Sequence, residues 1–441
     1  MIYVITSQNT ISKVVKLNLC SGCGTCAALC PKKAISMEID ETKGVYIAKI
    51  AKEKCTECQV CFAVCPGHGT DYNELNMEIF GRAPENILIG NYLNCYSGNS
   101  TNYDIRYNSS SGGLITQTLI FALEEGLIDG AIVTRMKKEK PFEPEPFIAR
   151  TKEEIIEASG SKYCPVPLNV ALEEALKIEG KFAIVGLPCH IDGLRKAEKV
   201  NKKIKQKIVL RLGIFCNHSP NFYATKTLLK KLKVEEKDVN KISYRGEGYP
   251  GMLKILSTKG KRNLVQSTSW SLIGSYFFYP NRCLCCSNGV CELADISFGD
   301  AWLPEMSEEK IGISVLISKT EFGDQLLNKM ESKNQIRLNQ LDSKKVVQSQ
   351  EGMLYTKKKK TKAYKYLFGA VPENNNLLES DRIDFMLNLF PCLTVRVFSK
   401  PVFRKILHII PTKVIWLYSA PYYYFMLKKA KRDFKRNNWT S

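Results

Sequence analysis

Eight cysteines of this 441-residue chain fall in two runs of identical spacing. Cys20, Cys23, Cys26 and Cys30 are followed by Pro31; Cys55, Cys58, Cys61 and Cys65 keep the same intervals and are followed by Pro66. Thiolates set two residues apart wrap the backbone around an iron–sulfur cube, so that amides can donate to the sulfurs, and the fourth thiolate of such a run reaches the neighbouring cube. The spacing predicts two 4Fe-4S clusters with crossed ligands, Cys20, Cys23, Cys26 and Cys65 holding one and Cys55, Cys58, Cys61 and Cys30 the other. Gly22, Gly24, Ala27 and Ala28 let the backbone come close, and each proline stops the turn that carries the fourth cysteine. Zinc is the competing metal, but its structural sites are built from CxxC pairs rather than from two four-cysteine runs each closed by proline.

A second group of cysteines is dispersed. A strand is expected over 182–185, running into Gly186-Leu187-Pro188-Cys189-His190 and a helix from about Asp192; another strand, 208–215, ends at Cys216. A β-α-β crossover makes these strands parallel, so the loops after Val185 and Phe215 leave the same sheet edge, where open α/β folds bind ligands. Arg282-Cys283-Leu284-Cys285-Cys286 adds a further CxxC, followed by Cys291. Cys189, Cys216, Cys283 and Cys286 are expected to hold a third 4Fe-4S cluster, with Cys285 and Cys291 as rival ligands. Zinc, a reversible dithiol and simple burial of small apolar side chains are the competing readings.

The elements that position these residues divide the chain. Residues 35–50 read as a short hairpin between the two cysteine runs, which makes the block to about Gly69 a ferredoxin-like module. Ser109-Ser110-Ser111-Gly112-Gly113 then precedes a helical pattern with Leu114, Ile115, Thr118, Leu119, Ala122 and Leu123 on one face, closed by Gly126. Free amides at such a helix start suit a cofactor phosphate; a plain N-cap is the alternative. With a strand over 131–134, a helix over 167–178 and a strand and tight turn over 294–302, the fold class is an α+β ferredoxin-like module followed by a larger α/β domain with a mainly parallel sheet.

Composition narrows the function further. Apolar residues make up 44% and charged residues 24% of the chain, and the mean hydropathy of −0.19 excludes a polytopic membrane protein. No leader pattern is read at the N-terminus, and clustered thiols fit the reducing cytoplasmic side. The net charge is +20, and residues 395–441 contribute half of it, eleven Lys/Arg against Asp433. No nucleic-acid-reading motif accompanies this charge. The run Lys357 to Lys360 reads as a solvated loop or linker. In the final segment, apolar stretches at 406–410, 414–418 and 422–427 are broken by Pro411, Lys413 and Pro421, too short for a spanning helix. Flanked by Lys and Arg, they are expected to rest peripherally on an anionic membrane surface, with a partner-docking helix or a cap on the core as alternatives.

The chain resembles the family of coenzyme F420 hydrogenase/dehydrogenase beta subunits, in its form with an N-terminal dicluster ferredoxin block. The likeness runs through Arg106, Ser109 to Gly113, Ser161-Lys162-Tyr163, Gly186 to Ile191 with Arg195, Phe215-Cys216, Tyr244-Arg245-Gly246, Pro250-Gly251, Arg282 to Cys286 and Ala294 to Trp302. It implies an iron–sulfur flavoprotein oxidoreductase that passes electrons through FAD between a two-electron carrier, the deazaflavin coenzyme or an analogue, and the clusters. Ser110, Ser111, Gly112, Gly113 and Lys162 are then flavin-site candidates, with Arg245 and Asp300 beside them; a solvated lysine and a turn aspartate are the bland readings of Lys162 and Asp300. The resemblance also implies a redox partner protein or soluble electron carrier and, from bacterial members of the family, a reductive step in cell-surface polysaccharide biosynthesis. A non-catalytic ferredoxin-type carrier docking a partner enzyme is the alternative. The expected division is 1–75 for the ferredoxin-like block, 85–170 for the flavin-loop region, 171–335 for the α/β region with the third cluster, and 336–441 for a basic linker and amphipathic tail.

Overall fold

A computed structural model describes residues 10–440. Between the two cysteine runs, β1 (Ile35–Asp40) and β2 (Val45–Ile50) form an antiparallel hairpin, as the sequence predicts. The body is built on β3 (Asn94–Ser100), β4 (Gly130–Met136), β5 (Pro144–Ala149), β6 (Phe182–Gly186) and β7 (Ile208–Ile214), then on β8 (Ile296–Asp300), β9 (Ser314–Ser318) and β10 (Ile336–Leu341). These eight strands pair in the order β10-β3-β9-β8-β7-β6-β4-β5. A separate three-stranded antiparallel sheet spans residues 239–265.

The sheet is mixed rather than mainly parallel. Only the centre, β8-β7-β6-β4, runs parallel. The edges reverse because β4 and β5 are joined directly as a hairpin, and β8 and β9 likewise run antiparallel, with β3 brought in between β9 and β10. A parallel neighbour needs a crossover of a dozen or more residues, and the link from Met136 to Pro144 is too short for one.

Period-two alternation feeds both faces of the sheet. Ala131, Val133, Ala183 and Leu316 point into one core with Leu119 and Phe121 of α1 (Leu114–Glu124). Ile132, Phe182, Ile184 and Ile317 point into the other, with Ile191 and Leu194 of α2 (Pro188–Val200). Helix α2 begins four residues earlier than the sequence suggests, because Pro188 fits the first helical position, where no amide hydrogen is needed. Cys189 therefore lies in its first turn. The expected helix over 167–178 is a single 3-10 turn, Leu168–Ala171, continued by one α turn, Leu172–Ala175.

The C-terminal region is not a linker and tail. It folds as α3 (Glu351–Lys359), α4 (Arg382–Phe398), α5 (Pro401–Leu407) and α6 (Thr412–Arg436); α3, α4 and most of α6 pack into the same core as the cysteine-bearing module, while Leu407 of α5 packs with the three-stranded sheet. The lysine run expected in solvent lies on α3 and at its end, and each member has its own partner. Lys358 is wholly buried against Glu292 at 2.8 Å, while Lys359 reaches Asp384 at 2.9 Å and Asp433 at 2.8 Å. Successive residues on a helix are turned by about 100°, which spreads consecutive charges among different neighbours. Helix α6 buries Ile415, Ser419, Tyr422, Met426, Ala430 and Phe434 at steps of three or four, the stripe of a core-capping helix. No helix among the described residues is long and apolar enough to cross a membrane.

If α6 is part of the core, Phe434→Ala will cost about 3–5 kcal/mol, whereas Tyr424→Ala, on its exposed side, will change stability by less than about 0.5 kcal/mol. Chemical denaturation of the two variants distinguishes the cases.

Candidate functional site

The structure brings Cys61 beside Cys58, Cys55 and Cys30, and Cys65 beside Cys23 and Cys20. Burial first, and then Cys58, Cys55 and Cys30, raise the Cys61 thiol. Those four cysteines line one cavity together. Burial pushes Cys65 up to about 12, with Cys23 and Cys20 adding to the effect; burial likewise raises Cys26, helped by Cys23, Cys65 and Cys20. Backbone amides answer these sulfurs. Ala34 donates to Cys30 Sγ at 3.2 Å, and the backbones of Gly22 and Ala48 hydrogen-bond Cys20, as those of Ile11 and His68 do Cys61 and Cys65. Thiols gathered this closely and supplied with amide donors suit a metal–sulfur centre better than a hydrophobic core.

Gly24 shows how this module meets the body. Its φ is +87°, and a Cβ there would lie 2.8 Å from Val170 Cγ1. The loop is therefore pressed on the turn at 168–171, where Asn169 donates from its backbone to Cys23 O at 2.9 Å and from Nδ2 to Thr25 Oγ1 at 2.8 Å and His190 O at 2.9 Å. The His190 ring is a bracket in the same seam. Its Nδ1 accepts from the Leu187 amide at 3.1 Å, which leaves Nε2 to donate to Val166 O at 2.9 Å, and burial holds its pKa down to about 4.

At the carboxyl edge of the sheet the structure brings Cys189, Cys216, Cys283 and Cys286 together. Burial raises Cys189 well above the usual thiol range, followed by Cys23, Cys216, Cys286 and Cys283. Burial pushes Cys216 up to about 12 and also raises Cys283. Cys286 differs: burial pushes its thiol up, but Lys357, Arg282 and the Asn288 backbone together hold it below the ordinary value. The rivals Cys285 and Cys291 lie close to this set but each gives its thiol to a backbone carbonyl. Cys285 Sγ donates to Arg282 O at 3.3 Å, and the wholly buried Cys291 Sγ donates to Ile214 O at 3.3 Å. Since Cys23 bears on Cys189 and Cys61 bears on Cys26, the three sets lie in series.

Two features of this edge are absent from the sequence reading. Lys357, 3% exposed, brings an ammonium to Cys286, Cys216 and Cys283 from helix α3. No local signal marks it, because a lysine within a lysine run has the pattern of a solvated face. Beneath the cysteines, Arg195 pairs with Glu198 at 3.0 Å and Asp295 at 3.2 Å, while Arg211 pairs with the same Glu198 at 2.7 Å. This buried quartet ties α2, which carries Cys189, to β7, which leads to Cys216.

The Ser/Gly loop lies beside this edge. Ser110 Oγ accepts from the Ser161 amide at 2.8 Å, and Ser111 Oγ donates to Ile313 O at 2.7 Å. The Gly112 amide donates to Ser314 Oγ at 2.9 Å, so it is not among the free amides expected there, and a Cβ at Gly112 would lie 2.5 Å from Gly98 O. Gly113, at φ +75°, caps α1. Lys162 is not a solvated lysine: burial holds its pKa down to about 8, and its ammonium donates to Ala158 O, to Ser159 O at 2.9 Å and to Gly160 O at 3.0 Å. Arg245 grips Asp300 with two bonds of 2.7 and 3.1 Å.

Rings link this place to the third cysteine set. Tyr163, beside Arg245, lies 5.0 Å from Trp270; His218 touches Trp270 at 5.9 Å and stacks on Tyr279 at 3.5 Å. Tyr279 in turn lies near Cys283 and Cys216. Tyr249, whose ring is 5.4 Å from Trp302, has a buried hydroxyl with no hydrogen-bond partner. An orphaned hydroxyl, an aromatic pair, the buried Arg245 and the half-buried Lys162 fit a planar anionic cofactor such as a flavin nucleotide.

Fold and site together define an α/β protein with serial cysteine centres of the metal–sulfur type. For the beta subunit of coenzyme F420 hydrogenase/dehydrogenase, the family model of the N-terminal region matches residues 95–173 and that of the C-terminal region matches 179–344, while a 4Fe-4S dicluster domain matches 19–68. The chain belongs to this family of beta subunits. It is 30% identical to the coenzyme F420 hydrogenase subunit beta of Methanothermobacter thermautotrophicus, over 55% of this chain and 82% of that relative. It is 25% identical to the coenzyme F420-dependent sulfite reductase of Methanocaldococcus jannaschii, over 75% of this chain and 49% of the relative. A chain in the structure of the F420-reducing NiFe hydrogenase complex from Methanosarcina barkeri shares the fold, with a TM-score of 0.52 at 22% identity over 66% of this chain and 98% of that one. The matched regions end at residue 344, before the segment that carries Lys357.

Replacing Arg245 by methionine would strand Asp300 in a largely buried position. Arg245→Met should cost about 3–5 kcal/mol in a denaturant titration.

Proposed function

We propose that this chain is an iron–sulfur flavoprotein oxidoreductase, exchanging electrons between a two-electron carrier, coenzyme F420 or an analogue, and a series of three 4Fe-4S clusters. The observation that carries this reading is the line of three four-cysteine sets ending at the edge where Lys162, Arg245 and the orphaned Tyr249 hydroxyl converge. Cys55, Cys58, Cys61 and Cys30 hold the outermost cluster, Cys20, Cys23, Cys26 and Cys65 the middle one, and Cys189, Cys216, Cys283 and Cys286 the innermost. A bound FAD supplies the conversion between hydride and single-electron chemistry.

The chain's own residues do the rest. Ser110 to Gly113 and Lys162 form the flavin cradle: Ser110 and Ser111 fix the loop against Ser161 and Ile313, and Lys162 offers positive charge where a phosphate or reduced ring carries negative charge. His190, held neutral, keeps the Cys189 turn closed against the middle set. Lys357 balances the thiolates of the innermost set. Cys58 is exposed, which puts the outermost cluster within reach of a redox partner protein or a soluble carrier.

Iron, acid-labile sulfide and flavin content of the anaerobically purified chain tests the reading. About twelve irons and one FAD are expected; about eight irons and no flavin would make this a ferredoxin-type adaptor instead. Cys216→Ser should lose about four irons and leave the remainder, and Lys162→Met should retain the iron but bind FAD roughly tenfold more weakly. Removing a cation beside an anionic cluster favours its oxidised form, so Lys357→Met is expected to lower the potential of the innermost centre by on the order of 50 mV in an EPR-monitored redox titration. An unchanged potential would remove Lys357 from the site.

A further inference from the structure

The outer side of the C-terminal helices has no protein cover. Opposite the buried stripe of α6 run Lys413, Leu417, Tyr424, Lys428 and Lys431, and Leu417 and Tyr424 are 60% and 61% exposed. Beside them α4 turns Met386 outward, 65% exposed, and the two helices border an open apolar groove lined by Met386, Phe390, Tyr418, Pro421 and Phe425. Helix α5 and the turn after it add Val402 and Ile409, 72% and 84% exposed. Single exposed apolar side chains are ordinary, but a contiguous field of this kind marks an interaction surface.

Charge selects the occupant. Residues 395–441 carry eleven Lys/Arg against Asp433, and Asp433 is consumed inside the fold by Lys359 at 2.8 Å and Lys429 at 2.7 Å. The charges that α6 turns to solvent are therefore all positive: Lys413, Lys428, Lys431, Arg432, Lys435 and Arg436. Within the apolar part, Trp416, Tyr418 and Tyr424 each combine a large apolar ring with a polar group, the side chains that settle where hydrocarbon meets water. An apolar strip studded with such rings and bounded along α6 by exposed cations is complementary to acyl chains beneath a negative headgroup layer. We infer that this face rests on a bilayer containing anionic phospholipid, with α6 lying in the interface plane, Leu417, Tyr424 and Phe425 in the acyl region and the basic end of the helix among the headgroups. This inference does not depend on the redox reading.

Flotation of the full chain with phosphatidylcholine vesicles, with and without phosphatidylglycerol, tests it. The chain should float with the mixed vesicles and bind roughly tenfold less to phosphatidylcholine alone or in high salt. Leu417→Glu combined with Tyr424→Glu, both at exposed positions, should reduce binding roughly tenfold with iron content unchanged. Failure of the parent chain to float with the mixed vesicles at low salt, or flotation of the double variant equal to the parent, overturns the inference. It is equally overturned if the vesicle-free chain is a dimer that the double variant converts to a monomer, since a second copy would then be the occupant.

Discussion

Sulfur that is to carry negative charge inside a protein has to be answered by cations and amides at the same place, and much of this structure is organised by that requirement. Burial drives Cys26, Cys65, Cys189 and Cys216 upward, which disfavours the thiolate. Opposing groups come from distant parts of the chain: Lys196 bears on Cys65, Arg282 on Cys285 and Cys286, and Lys357 on Cys216, Cys283 and Cys286. Arg282 and Lys196 also grip the backbone, Arg282 donating to Pro66 O at 3.0 Å and Lys196 to Cys65 O at 2.8 Å. The cations that compensate sulfur are thus also the bolts between the N-terminal module and the body.

The bolts explain the tight seam between the module and the body. Gly24 leaves no room for a side chain, Asn169 spans Cys23 and His190, and the Arg195, Glu198, Arg211 and Asp295 quartet fixes the helix and strand below. A buried ionic network of this kind adds little net stability over an apolar core, but it admits only one arrangement of its elements. Electron transfer between centres rewards that property, since fixed spacing matters there more than a few kcal/mol of stability.

What could be read in the sequence follows the range of the interactions. The two cysteine runs were legible because each repeats one short spacing closed by proline, and the nearness of Cys189 to Cys216 because a β-α-β crossover makes its strands parallel. Cys283, Cys285, Cys286 and Cys291 were legible only as a set of rivals, since the inward hydrogen bonds of Cys285 and Cys291 depend on the folded backbone. Lys357 was illegible, because its partners lie 71 residues and more upstream, as the numbering of Cys286 shows. The sheet edges were misread for a related reason: strand pairing across 200 residues, as between Ser314 and Gly98, leaves no local periodic trace. Of the readings offered for the C-terminal segment, the cap on the core is the one that the buried stripe of α6 realises.

The lysine run on α3 has a consequence for how this region can change. Lys357, Lys358, Lys359 and Lys360 face, in turn, the cysteines, Glu292, the pair Asp384 and Asp433, and the rings of Tyr276 and Tyr279. Exchanging one of these side chains disturbs one contact. Inserting or deleting a single residue upstream in the helix rotates the whole row by about 100° and presents each ammonium to the wrong neighbour at once. A substitution here therefore has a local cost, large where it strands a buried partner such as Glu292, whereas a change of length misplaces all four charges together.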